Sequence, residues 1–333
     1  MTQRSPRLSV EATRAPERAR LPGAVVAGGT ALVSGVSIFV NSYGVHSIRD
    51  PAVYTTAKNA VAAVFLIAAA GVFRALRSAR RDDRARRPGS GGAPALHGLS
   101  AGSYARWFSW AYVGVVGGGI AFVLFFEGLA RMSAEPAAFL HDTMLVWVAI
   151  LALPFLGERL SLWNLGAIVL LVGGQVAISG GIGRLVLGEG PLLVLGATVL
   201  WAVETVVAKR LLESTTPVRL SVLRMGIGVV VLVAFVAATG HFGALAGLDA
   251  AQLGWALLTG GLLAGYVGTW MVALSRARAL DVTSVLVASV VVTSLLQLAA
   301  GHAISLSETV GLVLVALGSA TVVRVWPRLA TAR

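Results

Sequence analysis

Lys58, Glu127, His141, Asp142, Glu204 and Arg224 stand inside long apolar runs, and in "PAVYTTAKNAVAAVFLIAAAG", which starts at Pro51, Lys58 is the only charge. A charge at the centre of a bilayer costs roughly 2.5–3.5 kcal/mol on insertion scales, so such residues face a bundle interior or water. A carboxylate placed there can bind a cation or carry a proton. Asp142, then Glu127 and Glu204, are therefore candidates for coupling to protons or for holding a cationic group of a substrate. Lys58 and Arg224 are the cations available to pair with them. The plainer reading of each residue is a structural ion pair between helices, or a side chain that snorkels to the interface. His141 reads as a hydrogen-bonding residue rather than a metal ligand, because no second His or Cys stands at ligand spacing.

Two neutral sets join these candidates. Ser289, Thr293 and Gln297 recur every fourth residue and make one polar stripe, suited either to lining a pathway or to bonding helix to helix. Trp201, Tyr266 and Trp270 are able to form an apolar binding wall, although aromatics in such runs also simply pack or mark the interfaces. There is no HExxH, no GxSxG and no P-loop, so neither a metalloprotease, a serine hydrolase nor direct ATP drive is indicated. With no cysteine either, no metal site and no cofactor is expected.

The elements that must position these residues follow from composition. The chain is 56% hydrophobic and 13% charged with a mean hydropathy of +0.81, against about 45–50% and about 25% in soluble domains. Ten apolar runs lie near 22–43, 51–73, 105–129, 134–156, 162–181, 190–208, 217–239, 251–274, 280–302 and 307–326. Each is long enough to cross hydrocarbon as a helix. Segments such as "VVVLVAFVAA" are apolar on every side, which excludes the alternation of barrel strands. The expectation is an all-α membrane protein with ten transmembrane helices, the first of them retained rather than cleaved as a signal peptide.

The net charge of +12 follows the membrane rather than nucleic acid. With both termini cytoplasmic, 22 of the 27 Lys and Arg fall on the inside and three on the outside, a strong positive-inside bias. That topology puts Lys58, Glu127, His141 and Asp142 in an outer layer, and Glu204 with Arg224 toward the cytoplasm. The basic stretch over 74–104, Gly/Pro-rich in its second half, is expected to be disordered and to touch anionic lipid headgroups. It lacks the interleaved aromatics of a nucleic-acid surface.

An internal repeat underlies the pattern. "PAVYTTAK" from Pro51 returns as "PVRLSVLR" from Pro217, with a cation seven residues after each proline. "GVVGGG" from Gly114 matches "GGLLAG" from Gly260, so that Gly114/Gly118 and Gly261/Gly265 both show GxxxG spacing, and Glu135 pairs with Asp281. "ERLSLWNLGAIVLLVG" from Glu158 matches "AISLSETVGLVLVALG" from Ala303. Five spans per repeat is an odd number, so the two halves enter the membrane with opposite orientation, as in many secondary transporters. Glu158, beside Arg159, is expected to cap the turn before span five.

"SAEPAAFLHDTMLVWVAILALPFLGERLSLWNLGAIVLLVGG", with "LWAVETVVAKRLLES" and "PVRLSVLR", resembles the EamA-type repeats of the drug/metabolite transporter superfamily. The resemblance covers roughly 20–330. It departs where His302-Ala303 stands in place of a second Gly-Glu. It implies ten spans and alternating-access transport of a small metabolite, amino acid or drug, not enzymatic chemistry. The accompanying expectations are a cytoplasmic tail over 1–21, repeats over 22–181 and 182–326, a tail over 327–333, and protons as a possible coupling ion. A passive pore and a membrane-embedded enzyme are the alternatives.

Overall fold

Pro51 and Pro217 each open a helix, where the missing N–H would have had no partner and the fixed φ suits the first turn. Asp50 accepts from the N–H groups of Ala52 and Val53 at 2.8 and 3.1 Å, and Thr216 Oγ1 accepts from that of Arg219 at 3.4 Å. The computed structural model describes residues 23–45, 47–48, 50–85, 103–132, 137, 140–158, 162–178 and 188–330.

Among the described residues, seven helices are long and apolar enough to cross a membrane: span one (Gly23–Gly44), two (Pro51–Leu76), three (Arg106–Leu129), six (Glu189–Leu211), seven (Pro217–Ala238), eight (Ala250–Arg276) and nine (Ala279–Ala299). Three shorter apolar helices are span four (Leu140–Leu156), five (Leu162–Ile178) and ten (Leu306–Val322). The protein is an all-helical, multi-pass membrane protein. The basic stretch differs in part from the disordered segment expected: the second helix runs on to Ala85, because "RALRSARRDDRA" is rich in helix-forming residues. Residues 86–102, like Glu135 and Arg159, lie outside the described residues.

The spans pair reciprocally between the two halves. Span three packs on seven and span eight on two; span one packs on eight and nine, span six on three and four, and span five on ten. Every major partner of a first-half span therefore includes its counterpart's mirror in the second half. Glycines make the closest of these approaches. A Cβ on Gly260 would stand 2.7 Å from the Lys58 carbonyl oxygen, and one on Gly118 would run into the Arg224 carbonyl. The matched contact pairs Gly260 with Gly118 rather than Gly114, a register one turn from that read in the sequence. Gly261 and Gly265 make only ordinary contacts, at 3.7 Å to Phe65 and 3.6 Å to Val33. The GxxxG motif of the second half is thus not a close packing surface, since Gly260 holds that position.

Spans four and nine are interrupted at corresponding places. In span four, Val146 N–H bonds the Thr143 carbonyl at 2.9 Å; in span nine, Val290 N–H bonds that of Val287 at 3.2 Å. These three-residue bonds tighten the helix locally. Span three passes through a π-helical stretch, Tyr112–Ile120, over its glycine-rich segment.

Candidate functional site

Arg224 and Glu204 form a fully enclosed ion pair. Arg224 Nε and Nη2 donate to the two Glu204 oxygens at 2.5 and 3.0 Å, and Nη2 also donates to the Gly117 carbonyl at 3.2 Å. The Glu204 side chain is 0% exposed. Its carboxylate occupies the space a Cβ on Gly117 would need, so that glycine exists here to admit it. The guanidinium lies between Phe122 and Trp270, 5.5 and 5.7 Å from their ring centres. Tyr266 stacks parallel on Trp270 at 6.4 Å.

Lys58 occupies the matching place in the first half with different company. Its ammonium donates to Asn41 Oδ1 at 3.1 Å and sits 4.7 and 5.2 Å from the ring centres of Phe126 and Tyr54. Among the described residues no carboxylate pairs with it. The outer cluster of opposite charges expected from sequence therefore does not close. Glu127 stands one residue past Phe126, so the helix turns it by about 100° away from Lys58. It pairs instead with Arg131 at 2.7 Å, one turn on, at a partly exposed helix end.

An aromatic group links the two cations. Phe126 meets Phe125 at 5.3 Å, Phe125 meets His141 at 5.5 Å and Trp201 at 5.4 Å, and Trp201 meets Phe122 at 5.2 Å. Trp201 is fixed by its Nε1–H bond to the Gly117 carbonyl at 3.0 Å. Trp201 thus belongs with Phe125 and His141, while Tyr266 and Trp270 lie beyond Arg224; the three do not share one wall. His141 remains 40% exposed and its Nδ1 is 3.7 Å from Asp142 Oδ1.

Asp142 and Thr143, at the break in span four, line a small cleft that also takes in Gln175 of span five and Val287 at the break in span nine. The Gln175 amide nitrogen is buried and has no hydrogen-bond partner among the described residues. This cleft, mostly apolar through Leu145, Leu171 and Val172, was not legible as a unit, because its members lie on three separate spans. The stripe on span nine divides. Thr293 donates to the Gly35 carbonyl at 3.0 Å, tying span nine to span one, and Ser289 is buried beside it. Gln297 is exposed near the helix end and joins neither. Among the described residues, no three His, Cys, Asp or Glu side chains assemble as a metal site.

Glu158 does something its position in the sequence does not suggest. Among the described residues its carboxylate bonds none of its own turn, where Gly157 takes a φ of +64°. Its carboxylate accepts the N–H groups of Ala279 and Leu280 at 2.7 and 3.2 Å, satisfying the start of span nine in the other half. Arg278 and Asp281 pair next to it through bonds of 2.7 and 2.6 Å, and Lys209 donates to the carbonyls of Leu274 and Ala277 at 2.7 and 2.6 Å. Of these contacts, those of Glu158 cross between the halves, and the others brace the second half beside it.

Burial pushes the Glu158 carboxyl above the ordinary glutamate value, against the opposing pull of both backbone N–H groups and of Arg278. A carboxyl raised by folding contributes stability that is complete below the ordinary glutamate range and fades as pH climbs through the raised value. The Tm of the detergent-purified protein should therefore fall across that window and stay flatter in Glu158→Gln, which keeps an acceptor. Glu158→Ala orphans two helix N-terminal donors and should lose about 1–2 kcal/mol at every pH.

The family model described as the EamA-like transporter family matches residues 21–180 and 188–324. Among solved structures, a crystal structure described only as "Crystal structure of protein" aligns with a TM-score of 0.66 at 16% identity, covering 90% of this chain and 98% of its own; at that identity the likeness speaks for the fold alone. No curated protein matches the chain.

Proposed function

Since this chain belongs to the EamA-like transporter family, a family of transporters and not of enzymes, we propose that it carries a small molecule across the cytoplasmic membrane by alternating access. The moving parts are the two halves, over 22–181 and 182–326, and both termini face the cytoplasm. The observation that supports this most is the reciprocal pairing of spans around buried charges, with spans four and nine interrupted at corresponding positions of the two halves. Interrupted helices near the midplane are where such transporters bind substrates and ions. Flux into proteoliposomes tests the reading. Accumulation against a gradient supports it; equilibration without accumulation makes the protein a passive pore, and conversion to a new product makes it an enzyme.

Asp142 is the proposed coupling carboxylate, since it lines the cleft between the two breaks with an unpartnered amide nearby. Asn keeps its shape but cannot ionise. Asp142→Asn should lose accumulation driven by an imposed pH gradient while keeping substrate counterflow at equal pH. Glu127→Gln should keep both, because Glu127 is already held by Arg131. Unchanged pH-driven accumulation in Asp142→Asn removes it from the role and passes the role to Glu204.

A further inference from the structure

The two halves place a cation at the same point and give it different partners. In each, the cation follows the helix-opening proline by seven residues. In each, a glycine of the other half presses on its carbonyl: Gly118 on Arg224 and Gly260 on Lys58. In each, the acceptor comes from the preceding span. Span six supplies the carboxylate of Glu204 to Arg224, whereas span one supplies only the neutral amide of Asn41 to Lys58. Asn41 Oδ1 is moreover shared, since it also accepts from the Tyr54 hydroxyl at 2.7 Å. The Lys58 ammonium has three N–H donors, and among the described residues this amide oxygen is the one acceptor bonded to it.

We propose that Lys58 receives the carboxylate of the transported molecule, so that a small organic monocarboxylate with an apolar or aromatic body completes the ion pair that Glu204 completes internally in the other half. This rests on the transporter reading and names its substrate class. One ammonium matches one negative charge; a phosphate ester would bring a second into a site where burial of an unpaired ion is heavily disfavoured. The surroundings of the ammonium are apolar and aromatic, and the rings are packed together here, with Phe126 and Trp201 each 9% exposed, so the body of the molecule would enter as the halves part. The ring under Lys58 is Phe126, which continues through Phe125 to the partly exposed His141 and to Trp201. Aromatic faces take apolar and aromatic groups alike.

The test uses the full-length protein in detergent and three acids, phenylacetate, 3-phenylpropionate and hexanoate, each against its amide and its amine. Binding is read from tryptophan fluorescence and from the rise in Tm. The acids should bind about tenfold or more tightly than their neutral and cationic counterparts, the scale of one charge-assisted contact. Lys58→Ala should abolish that preference and Lys58→Arg retain it. Asn41→Asp gives Lys58 an internal counter-ion and should abolish acid binding, at the loss of the bond its amide nitrogen donates to the Ser37 carbonyl at 2.7 Å; it carries the test if Lys58→Ala fails to fold. No preference for acids in the wild type, binding of none of the acids, or unchanged acid affinity in Asn41→Asp overturns the proposal. Counterflow of a neutral or cationic substrate without acid preference sinks this inference and leaves the transporter standing. Acid binding that depends on Lys58, without any flux, does the reverse.

Discussion

Arg224→Met and Glu204→Met, each made alone, are expected to lose most of their folded protein, and the double variant to regain it. Each single change strands a charge that is sealed from solvent, with 0% exposure at Glu204 and 6% at Arg224. Removing one partner of a buried pair typically costs about 3–5 kcal/mol, whereas replacing both by apolar side chains of similar volume is often neutral. The pair also organises its surroundings: Arg224 bonds the Gly117 carbonyl, which Trp201 bonds as well, and sits between Phe122 and Trp270. Tm and the monodisperse fraction of the four proteins complete a double-mutant cycle. A loss in the double variant equal to the sum of the two single losses would mean that Glu204 and Arg224 act independently of each other. A double variant that folds but does not transport would assign the pair to the transport cycle as well as to stability.

Gly118→Ala and Gly228→Ala should be nearly as damaging for a different reason. A methyl group on either glycine runs into backbone carbonyl oxygen of the other span, at Arg224 and at Gly118 respectively. Backbone does not swing aside as a side-chain tip does, so spans three and seven must separate, and overpacking of this kind costs about 1–3 kcal/mol. Gly196→Ala is the control, because nothing lies within 4 Å of its added methyl. There the gain in helix propensity, up to about 1 kcal/mol, should appear undiluted. A Tm that rises alike in all three variants would show that the close approach is not stabilising.

Much of the architecture was legible because hydrocarbon imposes a one-dimensional rule: a run either is or is not long and apolar enough to cross. The matched prolines and cations revealed the repeat for a similar reason, since Pro51 and Pro217 mark helix starts in an absolute frame. Facing was not legible. Glu127 and Phe126 are adjacent in sequence, yet one turns to Arg131 and the other to Lys58. Register was ambiguous where "GVVGGG" offers several glycines to a match, and only the contact with the Arg224 carbonyl selects Gly118. Glu158 finds its partners 121 and 122 residues away, beyond any local signal. The interruptions at Thr143 and Val287 have neither proline nor glycine to announce them.

The reciprocal pairing of spans also sets the order in which the molecule can be built. Span one rests on spans eight and nine, and the Gly35 carbonyl takes its hydrogen bond from Thr293, 258 residues later. During synthesis the first helix is therefore expected to lack its main partners until nearly the whole chain has been inserted. The first five helices made as a separate fragment lack their main partners: Gly118 has no span seven to meet and Gly174 no span ten. The earliest segments to emerge are the last to find their seats, so a chain that stops early should be an unfinished bundle rather than a smaller working carrier.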